Sequence, residues 1–386
     1  MLILLDVTRQ LNRALQGRLP TGVDRVGLAY VAHFRNRAQA LVRFGGRWVV
    51  LDRDESSRLF DAMAAPDEGF RRMVFWLVRR AWLLDWRDTA RGAWLFNTGH
   101  SGLDSPGYAH RVRRSGLAPL FFLHDLIPIT HPEYARPGEA ARHTLRLETI
   151  LSVGRGVVVN SEDTRRELLT YVAVRGFQLP RCVVAPLAPP PLLASESARP
   201  LPAPYFVMLG TIEPRKNHLL LLHVWRELVA KLGDATPKLV IIGQRGWECE
   251  QVVDLLDRCE ALRDVVIELP RCSDEALASW LTHAQALLFP SFVEGYGIPL
   301  VESLSLGTPV VASDLPVFRE IAGEIPDYLD PLDGVGWRDA IVDYAQPDST
   351  RRADQLGRMA GWQAPTWVAH FESVEALMAE IGRVFN

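Results

Sequence analysis

The sequence predicts an α/β protein made of two doubly wound, parallel-sheet units, and three observations lead there. Short apolar runs recur along the chain, each closing on glycine or a polar residue and then giving way to a helical pattern. This strand–loop–helix unit repeats on both sides of a proline-rich segment, 185–204, that has few features of a core element. The length of 386 residues is enough for two full cores. The units are expected at 1–185 and 205–366, with 186–204 as linker.

Composition narrows the class. Hydrophobic residues make up 48% and charged residues 23%, as in an ordinary soluble globular chain. No run approaches the roughly 20 apolar residues of a membrane span. The opening MLILLD is too short and lacks a basic leader, so it reads as a first strand and not a signal peptide; a cytoplasmic protein is expected. Cys182, Cys249, Cys259 and Cys272 have neither C-x-x-C nor zinc spacing and are expected as buried free thiols. The net charge of −3 hides an asymmetry: residues 1–186 carry 27 Arg, no Lys and 18 acids, the remainder 16 basic and 28 acidic residues. A basic first half points to an anionic partner there. No nucleic-acid partner is expected.

Residues 2–6 (LILLD) form a first buried strand. A glycine loop, Thr21-Gly22-Val23-Asp24-Arg25, then leads to a helix over 26–35. Such a junction faces ligand in doubly wound sheets, which makes Gly22 a site candidate. Strands over 40–44 and 48–51 pair as a hairpin around Gly45-Gly46. The stretch 70–86, from Phe70 to Trp86, is a helix with arginine pairs eight apart and three tryptophans. It suits the headgroup interface of an anionic membrane, and it equally suits an amphipathic helix whose tryptophans are core. Strands follow near 95–97 and 120–123. The second ends on His124-Asp125, at the strand end where these folds line their crevice. Asp125 either orients His124 or caps the next turn. A strand at 157–159 runs into Asn160-Ser161-Glu162, a helix cap.

The second unit opens with a strand at 205–209, which runs into Gly210 and the pair Arg215-Lys216. Arg presents a planar fork to phosphate oxygens and Lys a compact point charge. Cations at a helix start are unfavourable unless an anion binds there. Strands at 239–242 and 265–269 follow, the latter leading to Arg271 and then a helix from Asp274-Glu275. Further helices are expected over 337–344 and 367–385, separated by a Pro365-Thr366 cap.

The stretch 286–323 organises this second half. An apolar strand, 286–289, is stopped by Pro290; a loop with Gly295 and Gly297 follows; a helix starts at Pro299 and stops near Gly307; a strand returns at 309–312. A strand, a glycine loop and a helix N-terminus together make an anion site, because free amides and the positive dipole end converge. Glu294 and Glu302 sit in this unit. A carboxylate accepts hydrogen bonds from vicinal hydroxyls, the chemistry of sugar and ribose recognition. The same acids also fit an exposed loop residue and a complement to the helix dipole.

A resemblance weighs between these readings. Glu294 and Glu302, with seven residues between them inside FPSFVEGYGIPLVESLSLGTPVVAS, resemble the E-x7-E signature of retaining GT-B glycosyltransferases, family four in particular. That resemblance implies a GT-B fold, two Rossmann-like domains facing a cleft, with the last helix (367–386) packing back on an acceptor-binding N-terminal domain. It implies that Glu294 and the amides of Gly295, Tyr296, Gly297 and Ile298 hold the donor sugar, and that Glu302 holds the ribose. Gly210 with Arg215, Lys216 and the following Asn resembles the family's diphosphate clamp. His124 resembles its cleft histidine beside the donor sugar, and Gly22 its N-terminal glycine loop. VVVNSEDT (157–164) resembles the last strand–helix junction of the N-terminal domain. Arg271 stands where the family holds the nucleobase edge and would favour guanine over uracil.

The implied chemistry is metal-independent transfer from a nucleotide-diphosphate sugar. No DxD pair stands in the donor loops, so Arg215, Lys216 and helix amides would stabilise the leaving diphosphate. The family is thought to use front-face attack, with the leaving phosphate oxygen accepting the acceptor's proton and no covalent intermediate. GTIEPRKNHLLLL together with HDLIPITHPEY resembles bacterial mannosyl- and rhamnosyltransferases of capsule, exopolysaccharide and O-antigen assembly. The expected donor is therefore GDP-mannose and the expected acceptor a polyprenyl-linked or oligosaccharide one, with the enzyme peripheral on the inner face of the cytoplasmic membrane. A UDP- or dTDP-sugar transferase, a GT-B-fold epimerase and a donor-binding protein without catalysis are the alternatives.

Overall fold

The computed structural model describes residues 2–18, 20–64, 66–83, 90–190 and 198–385. They divide into two compact units: Met1–Ile129 with Gly138–Leu187 and Trp367–Asn386, and Thr130–Pro137 with Ala188–Thr366.

The first unit holds a seven-stranded sheet. Along the chain run β1 (Ile3–Asp6), α1 (Thr8–Leu15), α2 (Gly22–Phe34), β2 (Ala38–Phe44), β3 (Arg47–Val50), α3 (Arg53–Ala64) and α4 (Phe70–Ala81). Then come β4 (Trp94–Asn97), α5 (Tyr108–Ser115), β5 (Ala118–Leu123), α6 (Ile127–Thr130), α7 (Glu139–Val153), β6 (Gly156–Val159), α8 (Glu162–Arg175) and β7 (Arg181–Val184). The order is β3-β2-β1-β4-β5-β6-β7, parallel except for the β2–β3 hairpin. β1, β4 and β6 are buried along their whole length, because helices cover both faces of a parallel sheet. The hairpin turns through Gly45 (φ +54°) and Gly46 (φ +73°), a two-residue turn that needs positive φ at both positions.

Several expectations change here. α2 begins four residues before 26, because Thr21 and Asp24 cap it: the Thr21 amide and hydroxyl both donate to Asp24 Oδ2, at 2.8 and 2.6 Å. The helix expected over 70–86 ends at Ala81, with Trp82 as its C-cap and Leu83 already in a turn, and Trp86 lies outside the described residues. The supposed linker starts too early. Ala185 and Leu187 are buried in the first unit, and residues 191–197 lie outside the described residues. The limit 1–185 also misplaces Thr130–Pro137, which packs with the second unit: the Tyr134 ring stacks on Phe292 at 5.6 Å, and the Trp247 indole donates to the Tyr134 carbonyl at 3.2 Å. The four cysteines are free and half-buried, not fully buried.

The second unit holds six parallel strands in the order β10-β9-β8-β11-β12-β13. It runs β8 (Tyr205–Leu209), α9 (His218–Leu232), β9 (Lys238–Ile242), α10 (Glu250–Arg258), β10 (Val266–Leu269), α11 (Asp274–Thr282), β11 (Leu287–Phe289) and α12 (Ile298–Ser305). Then follow β12 (Val310–Ser313), α13 (Pro316–Ala322), β13 (Asp327–Leu329), α14 (Gly334–Tyr344) and α15 (Thr350–Met359). Trp225, Trp337 and Tyr344 are fully buried in its core. Both indoles keep a polar partner, Trp225 donating to the Pro237 carbonyl and Trp337 to that of Asp330.

The chain then returns to the first unit through α16 (Trp367–Phe385). His33 stacks flat on Phe371 with centroids 3.9 Å apart, and His370 bonds the Tyr30 hydroxyl and backbone carbonyls of Ala185 and Pro186. The first domain is therefore discontinuous in sequence. Among the described residues no helix is long and apolar enough to cross a membrane.

Candidate functional site

In the second unit, adjacent parallel strands β8 and β11 end side by side, and their loops bring the charged residues together. β8 runs into Gly210, whose φ is +141° and where a Cβ would stand 3.3 Å from Lys216 Cε. The chain continues through Glu213, Arg215 and Lys216 to Asn217, which has φ +60°. Asn217 Nδ2 donates to the Pro290 carbonyl at 3.2 Å and the Pro331 carbonyl at 2.8 Å, so one amide ties three strand-end loops.

Glu294 is the centre of the cluster. Its Oε2 takes Arg215 Nη1 at 2.6 Å, and its Oε1 takes Lys216 Nζ at 2.6 Å and the Ser291 hydroxyl at 2.8 Å. Arg215 is further held by Glu213 Oε1 at 2.7 Å and by the Val293 carbonyl at 3.1 Å. Glu213, Lys216, Ser291 and Glu294 are all buried. Burial pushes the Glu294 carboxyl up, but the charges of Arg215 and Lys216 and their hydrogen bonds outweigh it and hold it at about 2. Burial pulls the Lys216 ammonium below the ordinary lysine value, and the Glu294 carboxylate opposes that pull.

Beyond Glu294 the loop passes half-buried Gly295 and buried Tyr296 to Gly297, with φ +111°. A Cβ at Gly297 would lie 2.7 Å from the Phe318 ring, so glycine is demanded by both angle and space. Gly297 is the N-cap of α12, with Ile298 and Pro299 in its first turn. Glu302 lies one turn further on, buried in the same helix. Such an arrangement can bind a diphosphate on two cations and helix amides, and a polyhydroxyl group on carboxylates.

His124 belongs to the first unit, at the carboxyl end of β5. Its Nε2–H donates to the Thr98 carbonyl at 2.7 Å, and burial lowers its pKa to about 4, so the ring is neutral at pH 7. Two further histidines, unnoticed in the sequence, continue from it, His100 beside His124 and His143 beside His100. His100 is 5.4 Å from His124 by ring centroids, and His143 is 5.6 Å from His100; they donate to the Phe122 and Asp125 carbonyls. Asp125 caps, its Oδ1 accepting the Ile127 amide at 3.1 Å. Gly22 opens α2, where Asp24 is already engaged by Arg9 and Arg13. Arg271 is exposed after β10, the edge strand, two strands from β8, so the structure does not bring it to the Glu294 cluster.

The model of the family "Glycosyl transferases group 1" matches residues 193–325, which span this cluster from β8 to α12. O-antigen chain mannosyltransferase B of Escherichia coli is 30% identical over 272 residues, 67% of this chain and 68% of that protein. The chain belongs to the group 1 glycosyl transferases. The serotype-specific mannosyltransferase WbdA of Escherichia coli is 30% identical over 233 residues, 55% of this chain. The chain spans only 28% of the length of that relative. The fold is GT-B: the crystal structure of HepE of Anabaena in complex with UDP and glucose superposes with a TM-score of 0.67, covering 98% of this chain and 99% of that one at 14% identity.

Within this group 1 transferase, sequence reading missed Glu213 and Ser291 as partners of the cluster, and it placed Asn217 in the clamp without its bonds to the Pro290 and Pro331 carbonyls. The signal was present in part: Glu213 precedes Arg215 by two residues and Ser291 precedes Glu294 by three, close enough for one loop to join them. Among the described residues no group of three or more His, Cys, Asp or Glu is placed to hold a metal ion.

Proposed function

We propose that this chain transfers a mannosyl group from GDP-mannose, with retention of configuration, to a saccharide or lipid-linked acceptor in surface-polysaccharide assembly. The observation that carries the reading is the buried Arg215–Glu294–Lys216 cluster beside the Gly297 turn, in the segment that the family model matches. Mannose is supported by the mannosyltransferase names of two relatives at 30% identity.

In this mechanism the donor diphosphate takes Arg215 and Lys216 as counter-charges, with amides of 295–298 completing the cradle. Glu294, released from part of its pairing, accepts hydrogen bonds from the sugar hydroxyls, and Glu302 accepts those of the ribose. The acceptor hydroxyl attacks on the face that the diphosphate leaves. Its proton passes to the departing phosphate oxygen as the new glycosidic bond forms and the old one breaks. Arg215 and Lys216 stabilise the charge that develops there, so the step runs without a divalent ion. His124, neutral and donating through Nε2, offers Nδ1 as an acceptor to a hydroxyl at the first unit's strand ends.

A melting-temperature panel tests the donor. Ligands that bind only the folded state raise the melting temperature with concentration. GDP and GDP-mannose are expected to raise it more than UDP or dTDP. Incubation with GDP-mannose and a polyprenyl-linked saccharide, followed by NMR of the product, is expected to show an α-linkage. A larger shift with UDP, or turnover of donor with no acceptor present, overturns the proposal. Added chelator is expected to leave the rate unchanged.

A further inference from the structure

We propose that the outer face of α4 and the tip of the β2–β3 hairpin form a docking surface for an anionic lipid headgroup layer. The proposal rests on the reading above only in giving the enzyme a lipid-linked acceptor. The surface itself is read from geometry.

The inward side of α4 is complete: Phe70, Val74, Leu77, Val78 and Ala81 are buried. The core therefore has no use for a second apolar set on the opposite side, yet Phe75 is 52% exposed and Trp76 54%. Leu83, just past the helix, is 78% exposed. The hairpin extends this face, because exposed Phe44 meets Phe75 edge-on at 5.8 Å. These apolar groups are ringed by arginine. Arg71, Arg72, Arg79 and Arg80 are exposed on α4, and Phe75, Trp76, Arg79 and Arg80 line one shallow hollow of about 430 Å³. Arg47 lies 4.1 Å over the Trp82 ring, and Arg111 of α5 donates to the Gly46 carbonyl at 2.9 Å, which sets a sixth guanidinium at the hairpin tip.

Among the described residues, the acids nearby do not cancel this charge. Buried Glu55 faces Arg80 at 3.4 Å, and Asp67 and Glu68 stand in the turn before the helix. Exposed Trp and Phe among arginines match an interface that is apolar beneath and phosphate-rich above. A second copy of the same face would set arginines against arginines, and a neutral apolar partner would leave them without counter-charge. An anionic bilayer surface satisfies both components at once.

The test is sedimentation of the full chain with phosphatidylcholine vesicles, with and without phosphatidylglycerol. Binding is expected only with phosphatidylglycerol and is expected to weaken as salt rises. Arg72→Gln and Arg79→Gln should each weaken it about fivefold. Phe75→Ser with Trp76→Ser should abolish it while the melting temperature and turnover on a water-soluble acceptor stay unchanged. Equal binding to both vesicle types, or wild-type affinity in all these variants, overturns the proposal. So does sedimentation velocity showing that the face joins two copies, with a dimer lost in Trp76→Ser. Vesicle binding needs neither donor nor turnover, so failure of the transferase reading leaves a distinct signature.

Discussion

Lys216 Nζ lies 2.6 Å from Glu294 Oε1, joining residues 78 apart in sequence inside a buried cluster. The relationship has two consequences. Glu294 is the counter-ion of the cations that the proposed mechanism gives to the donor diphosphate, so binding by that mechanism would be an exchange of anions. Breaking the pair also leaves buried charge uncompensated, which costs far more than losing a surface ion pair.

Glu294→Gln is therefore expected to act on both stability and rate. The variant should lose about 3 kcal/mol of stability from the stranded Arg215 and Lys216 charges, and turnover should fall by roughly 100-fold or more. Thermal melting and an initial-rate assay check the two effects separately. A fully active variant would remove Glu294 from the mechanism.

Acid sensitivity should come in two steps. His124 and His370 are held near 4, His218 near 3 and His100 well below the ordinary 6.5, all because burial disfavours the charged ring. Unfolded, these rings take up protons near pH 6.5, so between that pH and about 4 the unfolded state binds more protons and stability falls with pH. Glu294 acts lower down. Its folded value of about 2 lies below the ordinary 4.5, so its contribution is full above 4.5 and lost as pH falls towards 2. Melting curves should show the first loss beginning just below neutrality; a flat profile down to about pH 5 contradicts it.

His218 offers a sharper case. Among the described residues neither ring nitrogen has a hydrogen-bond partner, and the residue is buried at the start of α9. An orphaned buried polar group costs about 1–3 kcal/mol, so His218→Leu should raise the melting temperature at neutral pH and raise it further in mild acid. A lower melting temperature would show that the ring is needed where it is.

Gly297→Ala should destabilise the fold by roughly 2 kcal/mol or more, since both the positive φ and the Phe318 ring oppose a side chain. Because Gly297 caps α12, the donor KM should rise as well. Retention of wild-type KM would separate this turn from donor binding.

Asn217→Ala removes both bonds from the amide to the Pro290 and Pro331 carbonyls. A loss of about 2 kcal/mol is expected, with a weaker donor affinity from loosening of the Glu294 loop. Nucleotide titration of the variant checks this. Unchanged affinity would make Asn217 purely structural.

By itself the sequence determined the elements whose signals are local. β11, the Gly297 turn, α12 and β12 stand within about a residue of expectation, because Pro290, Pro299 and Gly307 punctuate them through backbone restrictions that need no distant partner. It missed α1, α3, α5, α7, α10, α13, α15, β7 and β13, most of them elements whose polar or short patterns become regular only when packed against a sheet that local propensity does not reveal. Only the tertiary structure decided that Glu213 and Ser291 serve the cluster, that Asn217 ties the Pro290 and Pro331 carbonyls, that His100 stands between His124 and His143, and that Phe75 and Trp76 face solvent. Parallel pairing brings strand ends together across long stretches of chain. Which side of a helix is buried depends on the surface it lands on, and hydrophobic spacing in α4 allowed either.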